Sequence, residues 1–325
     1  MVEKELNSPT VLKHVPAEIS VTSPFNLEHT LYSGQAFRWK PVNGWHYCVI
    51  FGNLVKVRQT LLGIEYDSTP TPPGELRPLV RSYFRLDDDL DAIYKRIAID
   101  DALDMSIKRY WGLRLLRQEP WECLISFICS ITSNVTQIGK NVDKLCQSMG
   151  RRLEMDGVVG YTFPTPFDLA SAGEQHIREL KWGFRAAFAA GAAKAVVDGK
   201  LDLTRIKEMP YLQAKAELVK LRGVGEKVAD CALLFSMDKL EAFPVDRHVL
   251  RTVQRLYFKG KNISEKASIE WAAKTFGNDA GYAQQYLFHA ERLTAPERRG
   301  EESKKKPPEK KAKAKSKKAK TLRNG

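Results

Sequence analysis

A chain of 325 residues with 43% hydrophobic and 10% aromatic residues is long enough for two or three packed domains, which argues against global disorder. Its formal charge of +13 is unevenly spread: thirteen Lys or Arg against four Glu put +9 of it in residues 296–325, leaving +4 for the rest. Five scattered cysteines (Cys48, Cys123, Cys129, Cys146, Cys231) without a CxxC pair argue against a disulfide framework or a thiolate metal site, and no stretch has the roughly twenty apolar residues of a membrane span.

The start, "MVEKELNSPT", lacks the basic-then-apolar pattern of a signal peptide, so an intracellular protein is expected. There the sequons at Asn134 and Asn262 are chance matches. Next, "QAFRWK", "GWHYCVIFG", "NLVKVRQT" and "LGIEYDS" are β-rich runs separated by Gly, Asn and Pro, which predicts an antiparallel meander. "STPTPPGELRP" ends the sheet. From "LDDDLDAIYKR" the pattern is helical through residue 295, and Asp87, Asp88 and Asp89 read as a charged helix start rather than a metal site. "PWECLISFICSITSNVTQIGKNVDKLC" predicts a core helix broken by the polar "TSN". "FPTPFDLASA" and "EQHIRELKWGFRAAFAAGAAKAVVDG" add a turn and two helices, and "SIEWAAKTFG" and "DAGYAQQYLFHAERL" close the body.

The expected fold is α+β: a small antiparallel sheet domain over residues 1–108, a larger helical body over 109–295 and a disordered Lys-rich tail over 296–325. The tail suits a polyanion, and nucleic acid fits better than a membrane because no amphipathic pattern or lipidation signal accompanies the charge. It also suits a solubilising segment or, in a eukaryote, a nuclear-import signal.

"YLQAKAELVKL", "RGVGE" and "KVADCALLFS" read as helix, tight turn and helix, with Gly223 and Gly225 in the turn. Backbone N–H groups around such a turn can approach a phosphate. Dinucleotide binding is disfavoured, because Val228 stands where a third glycine of GxGxxG belongs and a helix precedes the turn. Lys227 falls in the first turn of the second helix, where the dipole opposes its positive charge and favours the nucleophilic amine; Cys231 lies one turn on. In "FPVDRHVL", Asp246 occupies an N-cap position, where the helix dipole favours a carboxylate able to stabilise positive charge on a sugar. Asp230, also near Lys227 in sequence, reads as a surface partner.

These residues resemble the helix-hairpin-helix DNA glycosylase superfamily. "SGQAFRW", "GLRLLRQEPWECLISFICS", "GVGEKVADCALLFSMDKLEAFPVDRH" and "GYAQQYLFHAE" narrow the resemblance to the eukaryotic-type 8-oxoguanine DNA glycosylases, from about residue 12 to 293. The resemblance implies an enzyme that flips 8-oxoguanine out of duplex DNA, excises it and nicks the backbone by β-elimination, without a metal or organic cofactor. By the same resemblance Lys227 is the nucleophile and Asp246 its charge stabiliser. Gly34 reads the lesion through its carbonyl, Phe288 and Cys231 sandwich the base, Gln284 reads its Watson–Crick edge and His248 touches a phosphate. Phe184 is the wedge aromatic and Arg185 reads the orphaned cytosine. Thr132 replaces an asparagine and Gln137 an arginine of the family pattern, so weaker discrimination of the opposite base is expected. A monomer acting on double-stranded DNA is expected, in the nucleus of a eukaryote or otherwise in the cytoplasm or nucleoid. Two alternatives remain at this point: a glycosylase of the same fold for another damaged base, such as an alkylated one, and a non-catalytic DNA-binding module.

Overall fold

The computed structural model describes residues 16–305. Strand β1 (Ala17–Ser20) and the short helix α1 (Leu27–Leu31) precede a meander of β2 (Lys40–Val42), β3 (Trp45–Ile50), β4 (Asn53–Gln59) and β5 (Gly63–Thr69). All pairings are antiparallel in the order β1-β5-β4-β3-β2. Asn43–Gly44 and Phe51–Gly52 make the two-residue turns, with positive φ at both positions, as right-twisted hairpins require. "QAFRWK" departs from expectation: only Lys40 enters a strand, while Gln35 bonds to Arg114 and Leu116, Arg38 to Glu122 and Trp39 to Tyr83.

Helix α2 (Pro73–Tyr83) covers the sheet, whose core joins Ile19, Leu31, Trp39, Val57, Tyr66, Val80 and Phe84 to Leu116. Helices α3 (Leu90–Ile97) and α4 (Asp101–Arg109) instead bury their apolar faces in the second core, so by packing they group with the helices that follow. The three aspartates act as the charge pattern suggested. Asp89 caps α3 through the amide of Ala92, Asp87 pairs with Arg117, and Asp88 accepts from Tyr282.

The body continues with α5 (Pro120–Cys129) and α6 (Val135–Met149). A hairpin of β6 (Arg152–Met155) and β7 (Val158–Tyr161) then interrupts the helical run, which corrects the expectation of unbroken helix to residue 295. Helices α7 (Pro166–Ile177), α8 (Arg185–Val197), α9 (Leu203–Glu208), α10 (Tyr211–Leu218), α11 (Glu226–Ser236), α12 (Arg247–Tyr257), α13 (Glu265–Phe276) and α14 (Ala280–Lys305) complete it. Helix α5 is apolar on nearly all sides because it is central, packed against α11 and α8. Helix α14 continues past Ala295 into the segment expected to be a disordered basic tail; residues 306–325 lie outside the described residues.

Side-chain amides knit the two cores together. Gln35 donates to the carbonyls of Thr30 (2.9 Å) and Arg114 (2.8 Å) and accepts from the amide of Leu116 (2.8 Å), all in the interior. Gln118 donates to the carbonyl of Gln35 (2.7 Å), and Gln285 on α14 to that of Ser33 (3.1 Å). Buried polar groups held this way act as registration pins, since leaving any one unpaired costs about 1–3 kcal/mol. Between Ser33 and Gln35 stands Gly34.

Candidate active site

The turn between α10 and α11 is tight because Gly223 adopts a positive φ of +86° against Phe188; a Cβ there would lie 2.3 Å from the ring. Helix α11 then starts on Gly225, whose lack of a side chain leaves the first turn without a side-chain cap. Uncapped amides at a helix N-terminus suit a phosphate.

Lys227 follows in that first turn, half-buried. Its ammonium donates to Ser130 Oγ (3.1 Å) at the end of α5 and lies 5.1 Å from the centroid of the Phe127 ring. The Ser130 hydroxyl in turn donates to the Phe127 carbonyl (2.6 Å), so its lone pairs are left for the lysine. Cys231, one turn along, is within hydrogen-bonding reach of Lys227. Burial pushes the Cys231 thiol up to about 12, opposed by Lys227 and reinforced by Asp230 and Asp246, so it faces the site as a neutral thiol. Asp246 caps α12, accepting the amides of His248 and Val249 (2.8 Å each). His248 is exposed beside it.

Asp230 corrects the sequence reading. It is fully buried rather than a surface partner, accepting from Tyr211 (2.8 Å) and Lys215 (2.9 Å) on α10. Burial raises its carboxyl above the usual range against the pull of Lys215. Its role is to fasten α11 to α10.

Gly34, with φ +88°, rests against α14: a Cβ there would lie 3.0 Å from Cε1 of Phe288. On the same face, one turn earlier, Gln284 donates to the carbonyl of Pro244 (3.0 Å), two residues before Asp246. Its Oε1 is buried without a hydrogen-bond partner among the described residues. One face of α14 therefore runs from the aspartate's loop to Gly34.

The remaining expected interface residues lie at the start of α8, in the loop between α5 and α6 and in the first turn of α6. Phe184 is 47% exposed, just ahead of α8. Arg185 does not extend freely. It donates to the carbonyls of Ile131 (2.6 Å) and Thr132 (3.0 Å) and to Thr132 Oγ1 (3.2 Å). Thr132 holds a positive φ of +49°, uncommon for a β-branched residue. Gln137 is turned along its own helix, donating to Asn141 (2.8 Å). Sequence reasoning missed Phe127 and Ser130 as the floor beneath Lys227. The apolar-to-polar step in "FICS" was the available signal. It also missed the Gln285 pin, for which the sequence offers none.

A glycine hairpin with lysine and aspartate heading successive helices, on a helical body joined to a small sheet, defines a base-excision DNA glycosylase. Residues 125–276 match the HhH-GPD superfamily of base excision DNA repair proteins, and residues 18–124 match the N-terminal domain of 8-oxoguanine DNA glycosylase. The chain is 30% identical over 311 residues to the N-glycosylase/DNA lyase of Saccharomyces cerevisiae, covering 82% of this chain and 83% of that protein. It is also 30% identical to N-glycosylase/DNA lyase OGG1 of Arabidopsis thaliana, covering 90% and 84%. Among solved structures, MBOgg1 in complex with a low-affinity DNA ligand superposes with a TM-score of 0.81 at 32% identity, over 87% of this chain and 100% of that one. The 8-oxoguanine glycosylase/lyase of Clostridium acetobutylicum, bound to DNA with cytosine opposite 8-oxoguanine, gives 0.79 at 33%, over 83% and 93%. The chain belongs to the 8-oxoguanine N-glycosylase/DNA lyase family.

Proposed function

We propose that this protein excises 8-oxoguanine from duplex DNA and then cleaves the abasic site, with Lys227 as nucleophile. The observation that carries the reading is the face of α14 that links the Asp246 loop, through Gln284, to Gly34, through Phe288. Guanine presents N7 as an acceptor, whereas 8-oxoguanine carries a hydrogen there. A fixed carbonyl at Gly34 accepts from the lesion and opposes the normal base, and a site that requires a hydrogen bond discriminates strongly. Gln284, its Nε2 engaged by Pro244, keeps Oε1 for a donor on the Watson–Crick edge. Phe288 and Cys231 supply the apolar faces of the base pocket.

In the chemical step the Lys227 amine bonds to C1′ as the bond from C1′ to the base breaks, and the base leaves with a proton. The ionised Asp246 stabilises the positive charge that develops on the sugar. Opening of the sugar ring converts the adduct to a Schiff base, whose electron pull permits loss of a C2′ proton and breakage of the C3′–O bond. Gly223, Gly225 and His248 hold a phosphate, Phe184 wedges the duplex, and Thr132, Arg185 and Gln137 face the orphaned base. Arg185 commits Nε and Nη2 to Ile131 and Thr132, which supports weaker discrimination of that base than the family pattern implies. The protein acts as a monomer, in the nucleus of a eukaryote or otherwise in the cytoplasm or nucleoid.

Borohydride trapping on an 8-oxoguanine duplex tests this reading. A cross-link is expected from the native protein and none from Lys227→Gln; an undiminished cross-link from the variant removes Lys227 from the role. Excision measured with each of the four bases opposite the lesion is expected to be comparable, and strong cytosine selectivity overturns that part.

A further inference from the structure

Two aromatic rings run from the hairpin to the wedge, and only the wedge itself has a part in the reaction so far. Phe184 and Phe188 sit one turn apart at the start of α8, edge to face, with centroids 5.9 Å apart and planes at 76°. Phe188 also presses on the hairpin: a Cβ at Gly223 would lie 2.3 Å from its Cγ and 2.4 Å from its Cδ2. The Arg222 guanidinium, in that turn, lies 5.9 Å from the Phe188 ring centroid, and the Arg185 guanidinium 4.7 Å from that of Phe184. The two rings therefore form a file, flanked by two cations, from the phosphate-binding turn to the wedge.

We propose that Phe188 is a positioning residue that couples seating of the Gly223 turn on a phosphate to insertion of Phe184 into the duplex. The inference rests on the reading of this protein as a base-extruding glycosylase. Phe184 follows a strained stretch, with Lys181 and Gly183 both at positive φ, and is itself exposed. Its backbone neighbour Arg185 is anchored on one side by the carbonyls of Ile131 and Thr132. On the other side Phe188 supports the Phe184 ring in an edge-to-face contact. That ring in turn cannot shift without the turn at Gly223, because it is in close contact with the glycine backbone. A phosphate that draws the turn toward DNA thereby fixes the ring against which the wedge leans. An edge-to-face aromatic pair is worth a factor of roughly three to ten.

The test uses the full-length protein and a duplex carrying 2-aminopurine beside 8-oxoguanine, whose fluorescence reports opening of the stack. Phe188→Leu, which fills the space without a ring, is expected to slow opening and single-turnover excision by roughly three- to tenfold, while Phe188→Tyr matches the native protein. In a Phe184→Ala background Phe188→Leu is expected to have no further effect on opening, because the coupling has nothing left to act on. Native opening by Phe188→Leu overturns the proposal. So does an equal loss with and without Phe184, since the ring would then serve packing alone. Should Phe188→Leu fail to fold, Phe188→Met takes its place in the same cycle. A native protein that neither opens the duplex nor traps on it defeats the glycosylase reading instead.

Discussion

Asp246 caps α12, and the proposed chemistry gives it a second job that substitution can separate from the first. Asparagine caps a helix about as well as aspartate, so Asp246→Asn is expected to keep α12 within about 0.5 kcal/mol of native stability, whereas Asp246→Ala loses about 1 kcal/mol more. The asparagine carries no charge, and excision is expected to fall by about 100-fold or more in both variants. Thermal melts beside single-turnover excision check this; full activity in Asp246→Asn would leave the residue a cap and nothing else. Residues of this kind were legible in the sequence because their settings are local: a glycine turn ahead of Lys227, a helix start at Asp246. Asp230 was not, since nearness along the chain does not say which face of α11 a side chain takes. Nor does the sequence show that Arg185 is occupied by carbonyls more than fifty positions away.

Among the elements, turn chemistry was readable and its failure is instructive. Asp156–Gly157, with positive φ at both residues, joins β6 to β7 by the same device as Asn43–Gly44. It went unread because helical periodicity on both sides dominated the segment. "QAFRWK" was misread for the opposite reason, Gln35, Arg38 and Trp39 being held by side-chain hydrogen bonds rather than by a ladder. Helix α14 carries the clearest pH dependence. His289 is 2% exposed, and neither ring nitrogen has a hydrogen-bond partner among the described residues. Burial, with the nearby charges of Arg292 and His29, lowers its imidazole from 6.5 to about 3. The group is thus neutral when folded, and its contribution is complete above pH 6.5 and lost as pH falls from there toward 3. The loss approaches about 1.4 kcal/mol per pH unit at most. Melting temperatures between pH 7.5 and 5 are therefore expected to fall for the native protein and to flatten in His289→Phe. Parallel curves would show that other groups govern the acid limb.

At the scale of the whole molecule, the α+β plan was legible because the change from period two to helical periodicity is a property of long segments. Where the cores divide was less so. The buried faces of α3 and α4 look alike whichever neighbour they join, and only packing assigns them to the second core. Charge is the other property of this scale. Residues 306–325 hold nine Lys or Arg and one Glu, beside a body with little net charge. Their removal is expected to weaken DNA affinity and flatten its dependence on salt while leaving single-turnover excision at low salt unchanged. Filter binding across a salt series reads this directly, and an unchanged affinity at low salt would refute a clamping role.

The hydrogen bond from Gln285 to Ser33 spans 252 positions of sequence. During synthesis the turn with Lys227 emerges well before α14, so a growing chain acquires its proposed nucleophile before the segment proposed to read the lesion has its last support. Discrimination is thus among the final properties the nascent protein gains. A chain released early, short of α14, would carry Lys227 without the pin that holds Gly34 in register.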